Sequence, residues 1–155
     1  AGAAIYSMEA LRKTGGLDEH HFAYLEDVDL GYRARIAGYD NWYAPKAKVY
    51  HVGSATTGTR YNEKKVFLAA RNTVYVIYKN MPLLQLVLNL PFILAGICIK
   101  TVFFLKKGFV KEYLKGILEG IKTCRACPKV PFSVKNLKNY LKIQVELWCN
   151  LFRIL

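Results

Sequence analysis

The sequence predicts an α/β unit over residues 1–80 followed by an α-helical, basic region over residues 81–155. Two shifts along the chain predict it. Before Pro82, short apolar runs bounded by Gly and Pro alternate with stretches of helical spacing, whereas beyond it apolar residues recur at helical spacing with lysines between them. The charge shifts at the same place. Residues 1–78 carry ten Lys or Arg against eight Asp or Glu, and residues 79–155 carry thirteen against three. The net charge of +12 is therefore mainly a property of the second half.

The elements follow in order. Ser7 caps a helix over 8–13 that stops at Gly15. Val28, Leu30, Ile36 and Ala37 supply a buried stripe, Asp29 and Arg33 stand four residues apart, and Gly38 is a stop, so 26–37 reads as a helix. Residues 41–44 and 48–52 read as short strands around Pro45, and 53–59 as a loop. Val66, Phe67, Ala70, Val74, Ile77, Tyr78 and Met81 then mark a helix over 63–80 that ends before Pro82.

The chemistry concentrates between Gly15 and His51. Glu26, Asp27 and Asp29 lie beside Phe22, Tyr24 and Leu25, a composition suited to holding a carboxylate ready against an apolar wall rather than to a solvated charge run. Asp27 falls in the first turn of its helix, where free N–H groups and the positive end of the dipole favour the ionised form. Such a carboxylate suits a general base. Asp29 is expected to pair with Arg33.

Ordered motifs extend this reading. Gly2-Ala3-Ala4-Ile5-Tyr6 precedes Gly15-Gly16-Leu17-Asp18-Glu19; then come Glu26-Asp27-Val28-Asp29-Leu30-Gly31-Tyr32-Arg33, Gly38-Tyr39, Pro45, His51, Arg71-Asn72 and Lys79-Asn80. Their succession resembles the C-terminal half of the catalytic domain of inverting family 2 glycosyltransferases, especially bacterial rhamnosyltransferase-like enzymes of polysaccharide and cell-wall assembly.

The resemblance implies a partial GT-A, Rossmann-like fold whose nucleotide-binding half, with its Asp-x-Asp metal motif and cofactor-binding residues, lies before residue 1. This chain alone is then expected to be inactive. Asp27-Val28-Asp29 has the Asp-x-Asp spelling, but its place in the pattern argues against that metal role. The resemblance makes Asp27 the catalytic base, with Glu26 next in line, and His51 a ligand of a divalent metal, Mn²⁺ or Mg²⁺, on the donor's diphosphate. Asp29, Arg33, Gly2, Tyr24, Ser54 and Arg71 are the candidate acceptor- or substrate-binding residues; Arg71 and Asn72 face either the cleft or solvent. The implied partners are a nucleotide-sugar donor, with deoxythymidine-diphosphate rhamnose first, and a lipid-linked or glycan acceptor.

The second half reads as membrane-associating. Residues 83–105 are very apolar but interrupted by Gln85, Asn89, Pro91 and Lys100, with basic residues on both sides, which predicts a re-entrant or interfacial helix pair first and, as the alternative, a span with Lys100 reaching to the interface. Val110, Tyr113, Leu114, Ile117, Leu118 and Ile121 form one further stripe, and Leu137, Leu141, Val145, Trp148 and Phe152 another, both lined by lysines. These predict peripheral, monotopic binding to an anionic membrane surface, at the cytoplasmic face. The alternative packs both stripes on the first half. A noncatalytic membrane-binding scaffold is the rival function, and it leaves the carboxylate cluster and His51 unexplained.

Other signals are weaker. Cys124 and Cys127 lack a second pair and read as reduced structural thiols. His20 and His21 read as surface or acceptor-side residues. Asp27, Asp29 and Gly31 lack the spacing and closing Glu of a calcium loop. Nucleic acid is excluded as a partner, since the lysines alternate with wide apolar stripes rather than with exposed stacking aromatics.

Overall fold

The computed structural model describes residues 3–50 and 61–154. Among them all regular structure is helical: α1 (Met8–Thr14), α2 (Glu26–Ile36), α3 (Glu63–Asn80), α4 (Leu83–Lys107), α5 (Val110–Thr123) and α6 (Leu137–Ile154), with 3-10 turns at Glu19–His21, Cys124–Ala126 and Val134–Asn136. This overturns the predicted α/β class and, with it, the partial GT-A, Rossmann-like architecture. The expected strands at 41–44 and 48–52 form no ladder among the described residues, and residues 51–52 with the expected loop 53–59 lie outside them. A strand is stable when its backbone groups pair with a neighbour and one face is covered. Here the one backbone bond between residues 40 and 50 runs from the Ala47 N–H to the Ala44 carbonyl, and Trp42, Tyr43 and Tyr50 stand in solvent.

The helices follow from local chemistry. The Ser7 hydroxyl accepts from the Ala10 N–H to start α1, and the Asn62 side chain accepts from the Lys65 N–H to start α3. Pro82 ends α3 and opens α4, which runs unbroken through Pro91 for 25 residues instead of forming the expected pair. Gly108, at φ 79°, closes α4 in the left-handed conformation and turns the chain into α5.

Two contacts organise the body. The α3 and α5 helices pack through Val66, Ala70, Tyr113 and Ile117, and they approach so closely that a Cβ on Gly116 would lie 2.4 Å from the Phe67 carbonyl oxygen. One on Gly120 would lie 2.8 Å from that of Arg71. The α6 helix packs on α2 through Ile36, Tyr140 and Ile143, with Arg35 paired to Glu146 at the rim.

The predicted lysine-flanked stripes divide between two faces. On α5, Tyr113 and Ile117 point inward while Leu114, Leu118 and Ile121 are exposed; on α6, Tyr140 and Ile143 point inward while Leu137, Leu141, Val145 and Trp148 are exposed. In α4 the usual order is reversed. Gln85 and Asn89 are only 4% and 6% exposed, whereas Leu83 and Leu84 are 73% and 72% exposed. Gln85 accepts from the Tyr32 hydroxyl at 2.7 Å, and Asn89 exchanges hydrogen bonds with Gln144 of α6. Among the described residues, α4 is the one helix long and apolar enough to cross a membrane by length and composition.

Candidate functional site

Asp27 sits in the first turn of α2, half-buried, and its Oδ1 accepts from the Val28 N–H at 2.9 Å. It lines an open groove of about 1050 Å³ together with Ser7, Gly31, Tyr32, Trp42 and Glu146. The groove therefore runs between the segment before α1, one face of α2 along most of its length with the segment that follows it, and the C-terminal half of α6. Glu26, its neighbour, does not line the groove; its Oε2 is buried with no hydrogen-bond partner.

The chain reaches Asp27 through an unusual turn. Phe22, Tyr24 and Leu25 all have positive φ, at 58°, 72° and 65°, although none is glycine. Non-glycine residues avoid this region because Cβ crowds the following carbonyl, so three in four positions persist only where surrounding contacts impose them. Leu25 is also the N-cap of α2 and provides no side-chain cap. The helix start depends on what holds the turn.

A buried polar network holds it. Asn72, with no exposed surface, directs its Nδ2 at the carbonyls of His21, Ala23 and Tyr24, at 2.8, 2.8 and 2.7 Å. Its Oδ1 accepts from Arg71 Nε at 3.0 Å, and Arg71 NH2 donates to the carbonyls of His20 and His21. Two α3 turns further on, Lys79 donates to Asp18 and to Asp29, the latter at 2.9 Å, and Asn80 Nδ2 donates to Asp29 Oδ1 at 2.8 Å. Arg33 closes the set on Asp29 Oδ2 at 2.7 Å and on the carbonyls of Thr14, Gly15 and Gly16. Two carboxylates thus face two cations in a site almost free of water contact, the condition under which buried charge is tolerated.

Burial alone would raise the Asp18 carboxyl; hydrogen bonds from Lys79 and His20 outweigh it and hold it well below the usual carboxylate range. His21 is fully buried beneath this network, edge-on to Tyr75, and neither ring nitrogen has a hydrogen-bond partner. Burial holds its imidazole below the ordinary 6.5. The surface or acceptor-side placement expected for His21 is thereby corrected, while its neighbour His20 is exposed and bonded to Asp18 at 2.7 Å.

The sequence-predicted site residues separate into four groups. Asp27 lines the groove. Asp29, Arg33 and Arg71 belong to the network behind it, and Tyr24 belongs to the turn between. Gly2, His51 and Ser54 lie outside the described residues. Asp18, Lys79 and Asn80, quoted above only as parts of motifs, and Asn72, which is fully buried and faces neither the cleft nor solvent as expected, turn out to be groups that tie α3 to α2 and the turn before it. For Asn72, Lys79 and Asn80 the sequence signal was polarity at inward positions of α3.

Asp18, His21 and Asp29 bring ligand atoms within 4.8 Å of one another, the grouping among the described residues that could hold a cation. The divalent ion implied by the resemblance does not fit there. The Lys79 ammonium is bonded to both carboxylates and already supplies the positive charge. Cys124 and Cys127 are both free and buried; burial pushes the Cys127 thiol up to about 11, which leaves it protonated and unreactive near neutral pH.

No protein-family model matches the chain, and no solved structure matches it. Two curated proteins are similar to part of it. The N-acetylglucosaminyl-diphospho-decaprenol L-rhamnosyltransferases of Mycobacterium tuberculosis strains CDC 1551 / Oshkosh and ATCC 25618 / H37Rv are each 38% identical over 72 residues, which cover 41% of this chain and 24% of the relative. The chain thus spans about a quarter of the length of these relatives, and over that part it has a glycosyltransferase-like relationship.

Proposed function

We propose that this chain contributes the acceptor-side, base-bearing part of a glycosyltransferase working at a membrane surface. The observation that carries the proposal is Asp27: a half-buried carboxylate at a helix start, lining an open groove and standing on a turn that the interior of the protein holds in place. Similarity to a rhamnosyltransferase supports the reaction class.

The acceptor hydroxyl binds in the groove and gives its proton to an Asp27 Oδ as its oxygen bonds to the sugar's anomeric carbon. The bond from that carbon to the diphosphate breaks on the opposite face, and the nucleoside diphosphate leaves with the bonding pair. Configuration inverts. One carboxylate suffices because the leaving group carries its own charge away from the base. A divalent ion, Mn²⁺ or Mg²⁺, with His51 among its ligands, belongs to the proposal as a neutraliser of that diphosphate. The base's role does not depend on it.

The membrane is proposed from α4. A helix that turns its amides inward and its leucines outward reverses the pattern of a water-soluble surface helix, and lysines flank the exposed apolar residues of α5 and α6. The surface we propose is the anionic cytoplasmic face, which would present a lipid-linked acceptor beside the groove. A noncatalytic membrane-binding module is the second reading, favoured by the same face alone.

The test is transfer of a labelled sugar by the full-length protein. Deoxythymidine-diphosphate rhamnose is tried first and uridine-diphosphate hexoses next, on polyprenyl-diphosphate-linked N-acetylglucosamine. Transfer with inversion supports the proposal. Membrane binding with no transfer from any donor favours the scaffold.

A further inference from the structure

Asn72 stands behind the turn that leads to Asp27, not in the groove, and every polar atom of its side chain is engaged. Its two amide hydrogens are shared among three carbonyl acceptors, on residues 21, 23 and 24. Those carbonyls converge on one point because residues 22, 24 and 25 have positive φ. With ordinary backbone angles they would splay apart, and the carboxamide would have at most one or two to bind. Arg71 fixes which way the carboxamide faces by donating to its oxygen.

We propose that Asn72 is a positioning residue for Asp27: it holds the strained turn over residues 22–25 whose end is the N-cap of α2, and so sets where the Asp27 carboxylate lies in the groove. The inference rests on the reading of Asp27 as the base, but the geometry behind it does not. Two features separate it from general packing. The contacts are hydrogen bonds to backbone carbonyls, so a residue of equal shape without donors cannot replace them. The conformation held is one that glycine adopts freely, so glycine in the turn relieves the need for a clamp.

The test uses the full-length protein with Asn72→Asp and Asn72→Leu, each also combined with Leu25→Gly. Hydrogen exchange is read at the amides of residues 22–28, and kcat and KM are read in the transfer assay. Both single variants are expected to exchange at least about tenfold faster over 22–28 while the amides of α5 keep their protection. The kcat is expected to fall at least about tenfold with acceptor KM within about twofold, the pattern of a misplaced group rather than lost binding. Leu25→Gly restores most of both, since glycine also serves as an N-cap.

Unchanged exchange over 22–28 overturns the proposal. So does faster exchange throughout the chain in both variants, or failure of Leu25→Gly to restore either readout. If the wild-type protein transfers no sugar, the glycosyltransferase reading fails by itself, and the exchange measurement still decides whether Asn72 holds the turn.

Discussion

Asn89 of α4 and Gln144 of α6 bind each other reciprocally, Asn89 Nδ2 donating to Gln144 Oε1 at 2.7 Å and Gln144 Nε2 donating to Asn89 Oδ1 at 3.2 Å. Both are buried; Asn89 Nδ2 also donates to the Gln85 carbonyl at 2.7 Å, so Gln144 depends on this pair for satisfaction more than Asn89 does. Removing one partner strands the other. Asn89→Leu is expected to cost about 1–3 kcal/mol, and adding Gln144→Leu to recover most of that, because two apolar partners leave nothing unsatisfied. Thermal melts of the two single variants and the double variant check this; additive losses would contradict it.

The fit of α5 against α3 gives a paired expectation. A Cβ on Gly116 would lie 2.4 Å from a backbone oxygen, whereas one on Gly96 in α4 meets nothing within 4 Å. Gly116→Ala should destabilise by about 1–3 kcal/mol through overpacking. Gly96→Ala should be neutral or stabilise by up to about 1 kcal/mol, as an ordinary helix-interior replacement. Denaturant midpoints read both.

His21 makes stability depend on pH. Its imidazole is held below the ordinary 6.5 by burial, so below that value the unfolded chain takes up a proton that the folded chain refuses. The contribution is complete above 6.5 and is lost as pH falls through the window between 6.5 and the folded value. Asp18, whose ordinary value is 3.8, is depressed too, but its contribution is lost only at lower pH. The melting temperature should therefore drop between about pH 7.5 and 5.5 in the wild type, and less in His21→Leu. Equal slopes in the two proteins would refute the assignment.

The outward leucines of α4 should bind lipid. The chain is expected to float with anionic vesicles and to remain partly bound near 1 M salt, where the Debye length of about 3 Å screens lysine attraction but not apolar insertion. Leu84→Gln with Leu88→Gln should lower that residual binding and leave the melt nearly unchanged, since both side chains are exposed. Full release in salt would reduce the surface to a polybasic patch.

The helices were legible where one face of the sequence repeats. The α3 helix ends where Pro82 predicts and α2 begins at the predicted Glu26, because caps and stops are local. The strands were not, because a strand's stability lies in its neighbours; Val49 and Tyr50 are β-prone residues with no ladder among the described residues. Within the candidate site, the Asp29–Arg33 pair could be read from its spacing of four, and the place of Asp27 from its helix start. The approach of Lys79 to Asp18, across 61 positions, could not. Nor could the burial of His21, whose sequence neighbours Asp18 and Glu19 point to a surface, whereas α3 covers it.

If Asp27 takes the acceptor's proton, turnover by Asp27→Asn in the full-length protein registers its loss. The change keeps the shape of the side chain and removes its basicity. The kcat is expected to fall about 10²–10⁴-fold with donor affinity nearly unchanged, the usual worth of a general base. Turnover within about threefold of the wild type, with Glu26→Gln the damaging change instead, would contradict it.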